Sequence, residues 1–495
     1  MNIKRAKNEI KNALRAYLAR DAFGAYRIPP IRQRPILLMG QPGIGKTQIM
    51  EQIAEETGVG LVSYTLTHHT RQSALGLPFI ETVQLGGAER TVTAYTMSEI
   101  IASVYREMER MGTKEGILFL DEINCISETL TPMMLQFLQC KTFGNQRLPD
   151  GWMVVAAGNP PEYNKSVREF DVVTLDRVKR IDVEEDFAVW KEYAYRRGIH
   201  GAILSYLEIR RDHFYRVEAT ADGLQFVTAR GWEDLSELMQ VYETLDLPVD
   251  RQVVGQYLQL PRVAADFANY LQLYEKYKRV YRVEEILDGA WEKVRASELA
   301  GAAFDEKLGV LGLLLARLAD SAREAYRLDR LTDALHQDLV HIREGEKMLG
   351  TLLDEKQAAL TRRRDAGSTD KDALFTAARE AERLAAFQQA LALEKVPKGQ
   401  AFERLKALFQ EDVQARADAA DRTDRQLANV FAFLDAAIPN SQELVLFATE
   451  LTANYFTSWF IQNFGCEAYF AHNKQLLFDD TRQRLLREIG SAEPD

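Results

Sequence analysis

The sequence predicts a parallel α/β domain followed by a mostly α-helical half. Three observations carry this expectation. Short, continuously apolar runs at 36–39, 116–120 and 152–157 suit strands buried on both faces of a parallel sheet. They alternate with stretches of helical periodicity to about residue 184. Beyond residue 280 the chain is rich in Ala, Leu, Glu, Lys and Arg and poor in glycine.

The chain is organised around its first apolar run. Residues 36–39 lead into Gly40-Gln41-Pro42-Gly43-Ile44-Gly45-Lys46-Thr47, the spacing of a phosphate-binding loop. Glycines let such a loop curl so that successive backbone N–H groups face one anion. Lys46 is placed to reach the β- and γ-phosphates of a nucleotide, and the Thr47 hydroxyl to bind Mg2+. Ile49, Met50, Ile53 and Ala54 then recur at helical spacing, so the loop opens a helix whose N-terminus favours negative charge.

The other elements are taken in order. Residues 1–34 are locally basic, with an amphipathic helix that packs beside the loop or, alternatively, serves an anionic partner or a transit peptide. Residues 61–66 read as a second strand. His68-His69 follows, and a loop lining a substrate path is preferred there to a metal site, because adjacent rings do not easily share one ion. Runs at 79–85 and 90–95 flank Gly86-Gly87, a hairpin signal. A helix spans about 98–111. The strand at 116–120 ends in Asp121 and Glu122. Asp121 can hold the Mg2+ shell, and Glu122 can orient the attacking water.

Residues 128–140 read as a helix with Pro132 in its first turn. Residues 141–151 form a turn-rich insert, and 152–157 another buried strand with Asn159 at its tip. A fifth strand follows Arg177 and Arg180. Helices are expected over 186–198 and 199–210, from about 227, and over 250–281. In the last half, apolar positions from Val340 to Leu360 and from Leu374 to Leu391 read either as a projecting helical hairpin or as part of a packed bundle. Asn440 and Glu443 are spaced as a capping box. The aromatic density of 452–471 reads as core or, more sharply, as a partner surface.

Composition bounds the function. The chain has 495 residues, 46% apolar and 27% charged, with net charge −11. Length suggests about three domains. The acidic balance opposes general affinity for nucleic acid. No run has the length of a membrane span, and no signal-peptide core begins the chain. Cys125, Cys140 and Cys466 are widely spaced and suit structural thiols in a reducing, cytoplasmic setting.

Taken in order, GQPGIGKT, ILFLDE, AAGNP, LDRV and TARGWEDL resemble the AAA+ ATPases over about 8–275. The hairpin after the second strand resembles the MoxR branch, which includes the CbbQ/NorQ-like activators. The resemblance implies a P-loop AAA+ parallel sheet core over 1–184 and a helical lid over 185–281. The helical domain would be 282–495, with a hairpin at about 322–395. It implies ATP and Mg2+ as cofactors and a homo-oligomeric, usually hexameric ring. Lys46 and Thr47 would belong to Walker A, with Asp121 and Glu122 as the Walker B pair. Asn159 would be sensor 1, Arg177 the finger acting on a neighbour's nucleotide, with Arg180 the second candidate, and Arg230 sensor 2. Residues 79–96 and 141–151 would face the pore. The implied function is an ATP-driven remodelling chaperone for a protein client or adaptor. A von Willebrand factor A domain protein, metal or cofactor insertion, or complex maturation fits the family habit. The rival readings are a nucleotide-regulated interaction or scaffold protein and, less favoured, a nucleic-acid motor.

Overall fold

A computed structural model of the chain describes residues 1–68, 76–86, 88–143, 146–163, 170–220, 223–345, 347–365 and 370–473. His69, half of the adjacent-histidine pair, lies outside the described residues. The chain forms two compact units. One comprises 1–189 with 228–230, and the other 190–227 with 231–495.

The first unit is built on five parallel strands. They are β1 (Ile36–Gly40), β2 (Gly60–Thr65), β5 (Gly116–Asp121), β8 (Trp152–Gly158) and β9 (Lys179–Val183). Their spatial order is β2-β5-β8-β1-β9. Alternate residues feed two separate cores, as a pleated sheet requires. Leu37, Leu118, Leu120, Val154 and Ala156 pack under the helices Glu99–Met111 and Thr131–Cys140. Ile36, Leu38, Ile117, Phe119, Val155 and Ala157 pack under Ile3–Leu18 and Lys46–Thr57. The basic N-terminal helix is thus a sheet-covering helix. Lys7 and Lys11 on its outer face pair with Glu56 of the loop-following helix.

Two hairpins leave the sheet. β3 (Pro78–Leu85) pairs antiparallel with β4 (Ala88–Tyr95), and Ile80 on it is highly exposed. β6 (Thr142–Phe143) pairs with β7 (Gln146–Arg147). The helix expected from 128 starts at Thr131, with Pro132 in its first turn. Residues 127–130 instead form turns, which place Pro132 where no backbone donor is needed.

The second unit is mostly helical. It also holds a hairpin within the stretch that the resemblance implies is a helical lid, β10 (Arg216–Thr220) with β11 (Gly223–Val227). The helix expected over 250–281 is two, Arg251–Tyr257 and Pro261–Tyr281, because Pro261 begins the second. Two long helices, Phe304–Arg343 and Ala401–Ala437, pack together, and Leu349–Asp365 and Lys371–Leu393 pack on each other. Leu331, Leu335 and Leu339 share one core with Leu353, Leu384, Phe387 and Leu405. The pair 349–393 is therefore covered by the long helices, as a packed bundle requires. Val340 ends one helix and Met348 precedes the next, so the apolar stripe read across them is not one helical face.

Near the carboxyl end, Ser441 caps the helix Gln442–Ala453 by accepting from Leu444 N. Asn440, read as the cap, has φ 53° and lies one residue outside. Asn454 caps the next helix, Tyr455–Phe464, whose Phe456 and Phe460 are buried while Phe464 is exposed. The aromatic cluster is mainly core. Cys125, Cys140 and Cys466 are free thiols. Among the described residues no helix is long and apolar enough to cross a membrane.

Candidate nucleotide site

The carboxyl ends of β1, β5 and β8 converge on the loop 40–47. Gly43 and Gly45 adopt φ 76° and 89°, in the left-handed region that a side chain disfavours. These two residues turn the loop back on itself and leave its N–H groups inward, the geometry of an anion nest. The helix Lys46–Thr57 then begins without a side-chain cap. Its first N–H groups thus have no side-chain acceptor of their own.

Lys46 is the centre of the site. It is 8% exposed and its Nζ donates to the carbonyls of Gly40 and Gln41 and to Asn159 Oδ1, at 2.7, 2.8 and 2.8 Å. All three acceptors are neutral. Burial pushes its pKa down to about 8, Asp121 and Glu122 oppose the shift, and Arg230 reinforces it. Thr47 Oγ1 donates to Asp121 Oδ2 at 3.0 Å. Glu122 follows Asp121 in the left-handed region, φ 57°, and its N–H donates to Asp121 Oδ1 at 2.9 Å. A glutamate held there is uncommon, and such backbone strain gathers at functional sites.

Asn124, Tyr163 and Thr228 complete the site, and only Thr228 belongs to a quoted motif, as the first residue of TARGWEDL. Asn124 is buried, donates through Nδ2 to the Asn159 carbonyl at 2.7 Å, and accepts from Asn159 N–H at 3.3 Å. It therefore fixes the strand tip that carries Asn159. Gly158 has no Cβ because one would lie 2.7 Å from Asn124 Oδ1. Tyr163 hydrogen-bonds Gln41. Thr228 lies against Gly43, where a Cβ would be 3.1 Å from it. Asn124 stands three residues after Asp121, in Asp-Glu-Ile-Asn, and Thr228 opens TARGWEDL two residues before Arg230; Tyr163 has no such signal.

The remaining candidates divide. Arg230 joins the loop, since its Cβ would be 3.6 Å from a Cβ on Gly43. Residues 228–230 pack with the first unit although the chain around them belongs to the second. Arg177 is not brought to the loop. It is exposed and lies just before the amino end of β9, where Lys179 stands opposite Ile36, whereas Val183 stands opposite Gly40. Four residues of parallel strand, about 13 Å, separate those levels. Arg180 is also at that end, and its Nε bonds Asp182 at 2.8 Å. Among the described residues Arg177 makes no side-chain hydrogen bond or ion pair.

Residues 35–178 match the AAA domain, dynein-related subfamily. This match supports an AAA+ ATPase. No curated protein matches the chain. The match ends at Val178, so Arg230 lies outside the matched residues while lying against their loop.

The AAA domain's residues fit a magnesium-bound nucleoside triphosphate. Among the described residues no cluster of three or more His, Cys, Asp or Glu forms a protein-only cage for a metal. Mg2+ bound with phosphates needs only one or two protein groups, and the adjacent Thr47 hydroxyl and Asp121 carboxylate supply them. Gln41 Oε1 is buried beside the loop without a hydrogen-bond partner among the described residues, which is a second sign of a site built for a polar guest.

Proposed function

We propose that the chain is a MoxR-type AAA+ ATPase that couples Mg2+-dependent ATP hydrolysis to remodelling of a protein client. The observation that carries this reading is the constellation around Lys46. It is a buried cation bonded only to neutral acceptors, beside a hydroxyl–carboxylate pair and a strained glutamate. Mg2+, held by Thr47 and Asp121 when bound with the nucleotide, would supply positive charge to offset that of the phosphates.

Each residue then has a task. Lys46 can exchange its bonds to the Gly40 and Gln41 carbonyls for phosphate oxygens, which also relieves its burial cost. Thr47 and Asp121 hold the metal side of the site. Glu122, lifted by its left-handed backbone, orients the attacking water. Asn159, fixed by Asn124, contacts the same water or the terminal phosphate. Arg230 supplies charge from beyond the matched residues. Arg177 is too far along β9 to serve its own loop, which supports service to a neighbouring copy in a ring, by family habit a hexamer. Exposed Ile80 and Phe79 on the β3–β4 hairpin support a client-facing role for residues 79–96. A von Willebrand factor A domain protein is the proposed client or adaptor, and the cytoplasm the proposed setting.

The test is Glu122→Gln. It should retain Mg2+-ATP binding and lose hydrolysis by at least about 100-fold, because only the water-orienting carboxylate is gone. Lys46→Ala should lose binding. Parent-rate turnover by Glu122→Gln would overturn the assignment. A pull-down with the same variant, locked on ATP, should retain the client.

A further inference from the structure

The helical unit holds a cavity of about 420 Å3, and every residue lining it belongs to the second unit. That volume suits a small molecule. One wall depends on Gly201. A Cβ there would lie 2.7 Å from both Tyr274 Oη and Ala316 Cβ, so any side chain would push one of them aside and reshape the wall. Gly198 likewise leaves room for the Arg323 guanidinium.

The lining is of two kinds. Leu204, Leu308, Leu311 and Phe456 supply apolar surface. The polar side is under-satisfied. Tyr274 is 4% exposed, lines the cavity, and its hydroxyl has no hydrogen-bond partner among the described residues. Leaving a buried hydroxyl unbonded is costly unless a guest or water meets it. Arg323 and Arg327 share a single carboxylate, Asp372, at 2.9 and 2.6 Å, so two positive charges meet one negative. Asp320 does not complete the set. Among the described residues it makes no hydrogen bond, and the cation within ion-pair distance is Arg317, at 3.9 Å.

We propose that this cavity binds a small organic anion, an apolar body carrying one acidic group that pairs with Arg327 and Arg323. The apolar wall takes the body, and the surplus guanidinium charge takes the acid. The Tyr274 hydroxyl provides a hydrogen bond inside. The site is separate from the nucleotide loop and does not depend on the ATPase reading.

The test uses the full chain, with a non-hydrolysable ATP analogue saturating the nucleotide loop, and 8-anilino-1-naphthalenesulfonate as the probe. Fluorescence titration should show one saturable site per chain, weakened by added salt. Arg327→Gln should weaken binding at least fivefold, and it leaves Asp372 bonded to Arg323 through two oxygens. Ala319→Trp, which fills the cavity, should abolish binding while the protein still melts cooperatively. If Ala319→Trp does not fold, Arg327→Gln alone decides. Equal binding by parent and Arg327→Gln, or no saturable site in the parent, would overturn the proposal.

Discussion

Each unit buries a lysine, and the two lysines are treated oppositely. Lys46 of the loop is surrounded by two carbonyls and an amide, at 2.7 to 2.8 Å. Lys191 of the helical unit lies between Glu208 and Glu450, at 2.6 Å from each, and Tyr195 donates to the same Glu450. The first cation has spare charge and gains from an incoming anion. The second is already over-compensated and ties Phe187–Arg197 to Gln442–Ala453, residues far apart in the chain. Burial of a lysine is therefore uninformative by itself: Lys141 of the first unit is also buried and bonds the neutral Gln33. Charged partners mark Lys191 as a strut, while it is the converging Thr47, Asp121 and Asn159 that mark Lys46 as a binding group.

The comparison can be broken at several points. The largest effect should come from Arg177, the residue that neither unit brings to its own loop. Arg177→Ala should cost about 10^3 in turnover with little change in ATP affinity. Mixing it with Lys46→Ala subunits should restore part of the activity, because some interfaces then join an intact loop to an intact arginine. Mixed assemblies that form and remain inactive would exclude Arg177 and bring forward Arg180.

Next is the strut. Lys191→Met leaves Glu208 and Glu450 together without their shared cation. It should destabilise the second unit by about 3 kcal/mol in urea unfolding. A loss below about 1 kcal/mol would show that the pair is not a strut.

Lys46→Met should do the reverse and stabilise the nucleotide-free protein at pH 7 by on the order of 2 kcal/mol. The folded pKa of about 8 lies below the unfolded value of roughly 10.4. Below pH 8 both states carry the proton and the burial penalty is full. Between pH 8 and about 10.4 the folded state sheds its proton first and unfolding takes one up, so parent stability rises with pH. The advantage of Lys46→Met should thus shrink from pH 7 to pH 9.5 in paired urea titrations. A constant advantage would mean that Lys46 is not an uncompensated cation.

Much of the first unit was legible because its chemistry is local in sequence. The loop, Asp121, Glu122 and the strand-tip Asn159 each follow an apolar strand that dictates where they end up. Tyr163 was not legible, since nothing near it in sequence marks a contact with Gln41, whereas Thr228 lay within TARGWEDL without its own contact with Gly43 being marked. The second unit was legible in class and not in detail. Helical periodicity is shared by every amphipathic segment there, so it does not reveal that Pro261 splits one helix or that 216–227 is a hairpin. The cap at Ser441 shows the same one-residue uncertainty. It gives the smallest test, because Ser441→Ala should cost about 1 kcal/mol in thermal unfolding of the full chain. A loss below about 0.3 kcal/mol would show that Ser441 is not the cap.

Gly201 has a further, genetic consequence. Every glycine codon becomes an alanine codon by one base change, and alanine is already large enough to meet Tyr274 and Ala316. At 2.7 Å something must shift, either the buried Tyr274 ring or the long helix Phe304–Arg343 that carries Ala316. This wall of the cavity is therefore one point mutation from being reshaped, and position 201 records whether a lineage has kept its present form.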